Sequence, residues 1–192
     1  MTAPGAPTPE PRLPWEAERV RAQLAPSLPG VEVEAVARCA STNTELVERT
    51  RARGTAMAPC LLVAEEQTAG RGRLGRTWTS AVGASLTFSL ALPLAPRDWS
   101  GLSLAVGLAL AEALEAWLDT LVEERASNRT GPAPRILLKW PNDLWLSPPA
   151  CAVQGKLGGI LVETVPVGAQ RWCVVGAGLN VQPLPQKVAD AL

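Results

Sequence analysis

Residues 67–78 read Gln-Thr-Ala-Gly-Arg-Gly-Arg-Leu-Gly-Arg-Thr-Trp, a run in which three arginines alternate with three glycines before a tryptophan. Glycine lets a backbone approach a ligand closely and adopt positive φ. Each guanidinium offers a planar fork of donors that matches a carboxylate or phosphate. The run therefore predicts an anion-binding loop, with a solvated basic turn as the alternative.

Glycines at 70, 72 and 75 also match the Gly-x-Gly-x-x-Gly fingerprint of dinucleotide-binding folds. That fingerprint requires a helix to open directly at the glycines, so that the helix N-terminus receives the pyrophosphate. Residues 76–85 are instead a poor helix start. We therefore reject a dinucleotide-binding fold.

Two further segments place polar side chains at the ends of regular elements. Residues 136–145 read as an apolar strand that ends in a proline turn carrying Lys139, Asn142 and Asp143. Residues 41–45, Ser-Thr-Asn-Thr-Glu, set three small hydrogen-bonding side chains ahead of a helix. Taken alone, Ser41 and Thr42 could serve only as helix caps, and Asp143 only as a turn former.

Two late strands carry glycines and one polar side chain each. Residues 155–163 place Lys156 between glycines at the start of an apolar strand. A Walker phosphate loop needs Ser or Thr after the lysine, and Leu157 stands there, so the segment is not a Walker loop. Residues 174–181 form a glycine-interrupted strand that carries Asn180.

Taken together and in this order, the segments resemble the catalytic core of biotin protein ligases, from about Arg38 to about Val181. These enzymes activate biotin with ATP and attach it to a lysine of a carboxylase carrier domain. The resemblance implies an ATP-dependent ligase that forms biotinyl-5'-AMP and uses a biotin carboxyl carrier protein as acceptor. It implies biotin and ATP as substrates and Mg²⁺ as the metal.

The resemblance also implies the residues of the site. Those expected to bind biotin or the nucleotide are Ser41, Thr42, Asn43, Gln67, Gly70, Arg71, Gly72, Arg73, Trp78, Asn142, Lys156, Gly158 and Asn180. Arg71, Lys156 and Asp143 are the implied catalytic residues, and Asp143 is also the implied Mg²⁺ ligand or the partner of the incoming lysine amine.

By the same resemblance, the polar groups of residues 41–43 and Gln67 would bind the ureido ring of biotin. The Arg-Gly loop would wrap the biotinyl and phosphate portion, and Lys156 would lie beside the reacting carboxylate and α-phosphate. Gly158 would let the ring approach the backbone. Trp78 would lie near adenine, and Asn142 and Asn180 near the nucleotide and its magnesium.

Composition narrows the possible chemistry. With 192 residues, 47% of them hydrophobic, one domain is expected. The net charge is zero and the pI about 6.4, so no overall field favours nucleic acid or an anionic membrane. The chain contains no histidine, which excludes Ser-His-Asp catalysis and disfavours a zinc site. The four cysteines lack a Cys-x-x-Cys pair and indicate a reduced, cytoplasmic protein.

Hydrophobic periodicity predicts an α+β fold with a mixed, largely antiparallel sheet and helices on one face. Thr42 and Glu45 can form a capping box, and Gly54 would end the helix that follows. Acidic residues interrupt the apolar stretch 102–122, which favours an amphipathic core helix over a membrane span. We expect Trp140 and Trp145 to belong to the core and not to contact a ligand. We expect helices at about 42–53 and 99–124, and strands at about 31–36, 60–66, 85–92, 136–140, 143–146, 156–165 and 171–179.

We expect residues 1–28 to be a disordered Pro/Ala-rich segment, 29–182 the catalytic domain and 183–192 a tail. Residues 125–134 and 147–154 are expected to be loops. The resemblance implies that the usual small C-terminal β domain is absent. The residues ahead of Ser41 are too few and too proline-rich for a helix-turn-helix, so we expect no DNA binding.

Other functions stay open at this point. A truncated biotin-binding protein with little or no turnover is one alternative. A nucleic-acid module that clamps phosphates with the Arg loop is another, and zero net charge argues against it. Lipoate ligases and octanoyltransferases share the expected fold but lack this Arg-Gly loop. The resemblance also implies that a homodimer can form by pairing of sheet edges.

Overall fold

The structure is a computed structural model that describes residues 13–124, 134–147 and 155–185, with the backbone alone for 121–124. The helices of this part are α1 (Ala17–Leu24), α2 (Thr42–Arg53) and α3 (Leu102–Glu124). The strands are β1 (Glu32–Cys39), β2 (Cys60–Gln67), β3 (Gly70–Arg71), β4 (Thr77–Trp78), β5 (Ser85–Pro93), β6 (Arg135–Lys139), β7 (Asp143–Ser147), β8 (Gly155–Val167) and β9 (Gln170–Asn180). Single 3₁₀ turns lie at Gly54–Ala56 and Arg73–Gly75.

The chain divides into two compact units. The first contains the described residues up to Ala95 and from Leu161 onward, and the second those between Pro96 and Ile160. In the first unit, β1 pairs with β2 in parallel, whereas β2 with β5 and β5 with β9 are antiparallel. Helix α2 packs on β2, β5 and β9. The α+β class and the largely antiparallel pairing are confirmed.

The core of the first unit lies between α2 and one face of this sheet. Leu46 and Val47 of α2 contact apolar side chains from the strands and their connections. The strand contribution is Cys60, Leu62, Ala91, Val165, Val167, Trp172 and Val174. Period-two alternation places Cys60 and Leu62 on the same face of β2, so this apolar row is what fixes the face that α2 covers.

In the second unit, β6 and β7 form an antiparallel hairpin, and the start of β8 pairs with β7. Helix α3 packs on β6 and β7. A Cβ at Gly107 would lie 3.1 Å from the Leu138 side chain, so the glycine permits this close packing. The Glu115 carboxylate accepts the N–H of Ile136, and this hydrogen bond lowers the pKa of Glu115. Within the described chain, no helix is both long and apolar enough to cross a membrane.

The predicted element bounds agree with the structure to within a few residues, and Gly54 ends α2 as expected, with φ of 54°. The predicted capping box is wrong. Ser41, not Thr42, is the N-cap residue of α2, and its side chain accepts the N–H of Thr44. Glu45 instead accepts a hydrogen bond from Arg49 one turn later.

Helix α1 lies within the segment 1–28 that we expected to be disordered, so that expectation is wrong for its described part. Glu16 and Glu18 form ion pairs three residues along the chain, with Arg19 and Arg21. The buried Glu65 carboxylate accepts hydrogen bonds from the backbone and indole of the segment ahead of α1. Residues 1–12, 125–133, 148–154 and 186–192 lie outside the described residues, so most of the predicted loops 125–134 and 147–154 is not described. Ser147 ends β7, so the loop prediction is wrong for that residue.

Replacing Leu46 by Ala removes a side chain that is wholly inaccessible to solvent at the centre of the core. We expect the free energy of unfolding to fall by about 2–5 kcal/mol, since lost burial and a cavity both contribute. Urea unfolding followed by circular dichroism measures this change. Leu74→Ala is the control, because Leu74 is 92% exposed and should change stability by less than about 0.5 kcal/mol. Equal losses in the two variants would contradict this core assignment.

Burial raises the pKa of the Cys60 thiol from 9.0 to about 11. Because the thiol pKa is lower in the unfolded chain, the unfolded chain releases this proton first as pH rises. The contribution of Cys60 to the free energy of unfolding is therefore fully present below pH 9 and is lost as pH rises toward 11. We expect the urea midpoint to fall between pH 9 and 11, and to fall less in Cys60→Ala. The comparison of the two pH profiles checks this. An identical fall in both proteins would show that Cys60 does not contribute.

Candidate functional site

The Arg-Gly run forms a short hairpin. Gly70 pairs with Trp78 and Arg71 with Thr77, and the N–H of Gly72 donates to the carbonyl of Arg76 at 2.7 Å. The turn needs left-handed backbone, with φ of 56° at Leu74 and 73° at Gly75. The glycines open no α-helix, only the single 3₁₀ turn at Arg73–Gly75, so the geometry that the dinucleotide fingerprint requires is not formed.

The hairpin exposes the side chains of Arg71, Arg73 and Arg76. Gly70 is buried, and a Cβ there would collide with the carbonyl of Trp78. Gly72 is partly buried, and its Cβ would lie in ordinary contact with Arg76. The glycines therefore bring the two short strands together, while the arginines remain available to an anion.

The predicted polar residues at the start of α2 lie together with Gln67. The Oε1 atom of Gln67 accepts the backbone N–H of Thr42 at 2.7 Å and its hydroxyl at 3.2 Å. Ser89 Oγ lies 2.7 Å from Thr42 Oγ1. Ser41 accepts the Thr44 N–H, which leaves its own O–H as a donor. This cluster joins the N-terminus of α2 to the end of β2 and the middle of β5.

Asn43 is buried and fully engaged at its amide nitrogen. Its Nδ2 donates to the Leu161 carbonyl at 3.3 Å and to Glu163 Oε2 at 3.0 Å, and its Oδ1 accepts from Ser89 at 2.6 Å. A Cβ at Gly176 would collide with this amide. Asn43 therefore braces α2 against the sheet, and one lone pair of its Oδ1 is left for any ligand.

Arg71 forms an ion pair with Glu163. Nη2 donates to Oε1 at 3.1 Å, and Nη1 lies 3.4 Å from Oε2. Nη1 also donates to Thr44 Oγ1 at 3.1 Å. The guanidinium is thus held by an acidic residue of β8 and by the first turn of α2. Glu163 was not among the predicted site residues.

The sheet face beneath these residues changes from apolar to small and polar along its length. Ala91 and Val174 pair at the core end, and the next pairs on the same face are Ser89 with Gly176, Thr87 with Gly178, and Ser85 with Asn180. A Cβ at Gly178 would collide with the Trp78 indole. The glycines of β9 therefore make room for the Asn43 and Trp78 side chains.

Trp78 is half-buried against β9, and its indole Nε1 is buried without a partner among the described residues. Asn180 ends β9 on the same face, two residues beyond Gly178. The N–H of Val181 donates to the carbonyl of Ala84, which fixes this end of the strand. Trp78 and Asn180 thus mark the polar end of the face in the first unit.

In the second unit, the turn after β6 contains a cis peptide bond between Trp140 and Pro141. The Asn142 side chain donates to the Ile160 carbonyl at 2.8 Å, and the Ile160 N–H returns a bond to the Asn142 carbonyl at 2.9 Å. Asn142 therefore clamps the turn to β8. Asp143 follows and opens β7.

A β-bulge in β8 determines where Lys156 points. Asp143 pairs with Gly159, but Trp145 pairs with Lys156 because the register shifts between Leu144 and Trp145. Without the shift, Lys156 would lie on the opposite face, since one residue of slip reverses every side chain. The bulge brings Lys156 Nζ to 2.9 Å from Asp143 Oδ1.

Glycines flank this ion pair. Gly158 is buried opposite Leu144, and a Cβ at Gly159 would lie 3.6 Å from both Asp143 Oδ1 and Lys156 Nζ. The charged pair therefore lies against bare backbone. The absence of a side chain at Gly159 is what lets the pair lie so close to the strand.

Lys139 lies 4.2 Å from the ring centroid of Trp145, a cation–π contact. Trp140 is 77% exposed, so the expectation that both tryptophans belong to the core is wrong for Trp140. A shallow surface cleft of about 10 Å³ lies beside Lys139. Its lining is Ser103, Leu104, Gly107, Leu138, Lys139, Pro141, Asn142, Asp143 and Ile160.

The predicted residues thus fall in two clusters, one in each unit. Residues 41–43, Gln67, the hairpin, Trp78 and Asn180 belong to the first, while Asn142, Asp143, Lys156 and Gly158 belong to the second. Sequence reasoning missed Glu163, Ser89 and Gly176. The alternation of Ser85, Thr87 and Ser89 along β5 was the available signal, since small polar residues recur there on a buried face.

The sequence profile of the Biotin/lipoate A/B protein ligase family matches residues 35–180. A biotin--[acetyl-CoA-carboxylase] ligase of Mycobacterium tuberculosis is 37% identical over 160 residues, covering 82% of this chain and 52% of the relative. A biotin protein ligase from Aquifex aeolicus in complex with biotin and ATP is 29% identical, with a TM-score of 0.56, covering 82% of this chain and 56% of that one.

A third similar protein is the biotin protein ligase from Leishmania major in complex with biotinyl-5-AMP. It is 25% identical, with a TM-score of 0.57, and the match covers 82% of this chain and 60% of that one. The present chain spans about half the length of the curated relatives it matches.

Substituting Gly178 by Ala places a methyl group inside the Trp78 indole. We expect the hairpin to be displaced and the tryptophan fluorescence to shift toward longer wavelength as the indole becomes hydrated. Gly155→Ala is the matched control, because it is also a strand glycine and a Cβ there meets nothing within 4 Å. Identical spectra for Gly178→Ala and the unmodified chain would contradict the described packing.

Proposed function

Since the chain belongs to the Biotin/lipoate A/B protein ligase family, we propose that it is an ATP-dependent biotin protein ligase. The observation that carries the proposal is the Arg-Gly hairpin, whose Arg71 is fixed beside the polar cluster at the start of α2. A cation beside a group of uncharged hydrogen-bonding side chains suits biotin, which has a carboxylate and a polar ureido ring. The names of the relatives support the same substrate.

In the first proposed step, the biotin carboxylate attacks the α-phosphorus of ATP. A P–O bond forms to the carboxylate oxygen, the bond to the pyrophosphate oxygen breaks, and biotinyl-5'-AMP and pyrophosphate result. Both reactants are anions, so their repulsion is the barrier that the protein must reduce. Each charge-assisted hydrogen bond to the developing charge contributes about 1.5–3 kcal/mol.

In the first unit, we assign the ureido ring to the donors and acceptors of Ser41, Thr42, Asn43 and Gln67. The Ser41 O–H and the remaining lone pair of Asn43 Oδ1 suit a group that both accepts and donates. Arg71, Gly72 and Arg73 would hold the carboxylate and phosphate. Trp78 and Asn180 would border the nucleotide.

In the second unit, we assign Lys156 to the phosphate charge and Asn142 to the nucleotide. A lysine presents a compact point charge on a flexible stem. Because the Lys156 side chain is partly exposed, its ammonium can move from Asp143 to a more highly charged partner. Gly158 would admit a ligand to the backbone. The Lys156–Asp143 ion pair holds both side chains in place until the ligand arrives.

Asp143 is the one carboxylate among the residues that line the cleft of the second unit. Mg²⁺ is commonly held by one or two carboxylates, with the remaining ligands supplied by phosphate oxygens and water. The donor set therefore fits a Mg²⁺ ion that arrives with ATP, with Asp143 as its protein ligand. Bound there, the ion would neutralise phosphate charge.

In the second proposed step, a lysine amine of an acetyl-CoA carboxylase carrier domain attacks the acyl carbon of the adenylate. An amide bond forms, the acyl–phosphate bond breaks, AMP leaves with the electron pair, and the amine loses a proton. The name of the M. tuberculosis relative supports this acceptor. The chain has no histidine to act as base, so Asp143 would orient the amine and accept its proton late.

The remaining parts of the proposal concern cellular context. The thiols of Cys39, Cys60 and Cys173 are free, which supports a reducing cytoplasmic location. Zero net charge supports the absence of DNA binding. Homodimerisation through sheet edges follows from the resemblance and is tested by light scattering.

The proposed activity predicts pyrophosphate release that requires both biotin and ATP, together with biotinyl-5'-AMP detected by mass spectrometry. Arg71→Ala should lower biotin-dependent release about 10²- to 10³-fold, because it removes donors aimed at developing charge. Arg38→Ala is the control, since Arg38 forms a similarly exposed pair with Glu66 outside the cluster. No release from the unmodified chain, or lipoate replacing biotin equally well, would contradict the proposal. Unchanged release in Arg71→Ala would contradict the assignment of the hairpin.

A further inference from the structure

We infer that Glu163 is a positioning residue that aims one edge of the Arg71 guanidinium at the anionic group of the substrate. The inference rests on the proposed function, because it assigns that substrate a carboxylate or phosphate. Glu163 is an acidic residue in a site that, as proposed, binds anions. Such a residue would ordinarily be expected to weaken binding.

The argument starts from the donors of Arg71. A guanidinium has five N–H groups, two on each Nη and one on Nε. Three are used: Nη1 donates to Thr44 Oγ1 and to Glu163 Oε2, and Nη2 donates to Glu163 Oε1. Five minus three leaves two, namely one N–H of Nη2 and the N–H of Nε, to which the described residues offer no hydrogen-bond acceptor.

These two remaining donors lie on the same edge of the guanidinium plane. A carboxylate or a phosphate accepts two parallel N–H bonds from such an edge. Glu163 occupies the Nη1–Nη2 end of the plane, so a second anion can bind along the Nε–Nη2 edge without displacing it. The ion pair thus leaves a complete bidentate fork with a defined direction.

Glu163 is itself held in place. Its Oε2 accepts a hydrogen bond from Asn43 Nδ2 at 3.0 Å, and Asn43 is fixed on its other side by Ser89. Asn43 and Ser89 are both buried. The chain of contacts therefore runs from the packed sheet through Asn43 and Glu163 to the exposed guanidinium. Such support reduces the rotamer freedom that Arg71 would lose on binding a ligand.

The opposite possibility is that Glu163 merely occupies Arg71 until the substrate displaces it. The two possibilities predict effects of opposite sign. If Glu163 competes, removing its charge tightens biotin binding. If Glu163 positions Arg71, removing its charge weakens biotin binding, and it does so only while Arg71 is present.

The test uses Glu163→Gln in the full chain, with the steady-state rate of pyrophosphate release measured against biotin concentration. We expect KM for biotin to rise about tenfold, with a smaller change in kcat. In an Arg71→Ala background, Glu163→Gln should add no further increase. Glu66→Gln, which breaks a comparably exposed ion pair with Arg38, should leave both constants within about twofold. An unchanged or lower KM, or an effect that adds fully to that of Arg71→Ala, would overturn the inference.

A second readout is independent of turnover. In the unmodified chain, the ¹⁵N–¹H NMR signal of Arg71 Nε should be sharp, because the guanidinium is held. In Glu163→Gln it should broaden or vanish through exchange with water, whereas Glu66→Gln should leave it unchanged. A signal that survives Glu163→Gln would overturn the positioning role. Absence of biotin-dependent turnover in the unmodified chain would instead count against the proposed function alone.

Discussion

The buried amide of Asn43 is the constraint on which the first cluster depends. Its nitrogen reaches the Leu161 carbonyl and the Glu163 carboxylate, and its oxygen accepts from Ser89. A buried amide must have its hydrogen bonds satisfied, so the start of α2 can occupy only one position relative to β5 and β8. That position places Thr42 on Gln67 and Glu163 under Arg71. The exposed cation of the hairpin is thereby tied to the packed interior of the sheet.

The two clusters use different cations in different ways. Arg71 is a planar fork fixed by a carboxylate and a hydroxyl, which suits an anion of defined orientation. Lys156 is a point charge that a β-bulge turns toward Asp143, which suits a phosphate group whose position changes during the proposed reaction. Small residues serve both clusters, since Gly176 and Gly178 admit Asn43 and Trp78 while Gly159 leaves backbone beside the Lys156 pair.

The sequence pattern predicted most of the fold because β2 and β9 are continuous apolar runs, β5 alternates between apolar and small residues, and Gly54 is an unambiguous helix stop. The motifs predicted which polar residues gather at the start of α2. Glu163 could not be predicted, because its partner Arg71 lies 92 residues away in sequence and only the pairing of strands brings them together. Trp140 was misjudged because an aromatic residue beside apolar neighbours usually packs inward, whereas here the turn exposes it.

Central to the proposed function is the claim that Arg71 and the polar cluster at the start of α2, both in the first unit, bind biotin. Isothermal titration of the full chain with biotin, followed by titration with lipoic acid, tests it most directly. Lipoic acid also carries a carboxylate but lacks the ureido ring, so it separates binding through the cation from binding through the polar cluster at α2. The structure predicts saturable one-to-one binding of biotin and little or no heat from lipoic acid. Equal binding of both acids, or binding of neither, would contradict the claim.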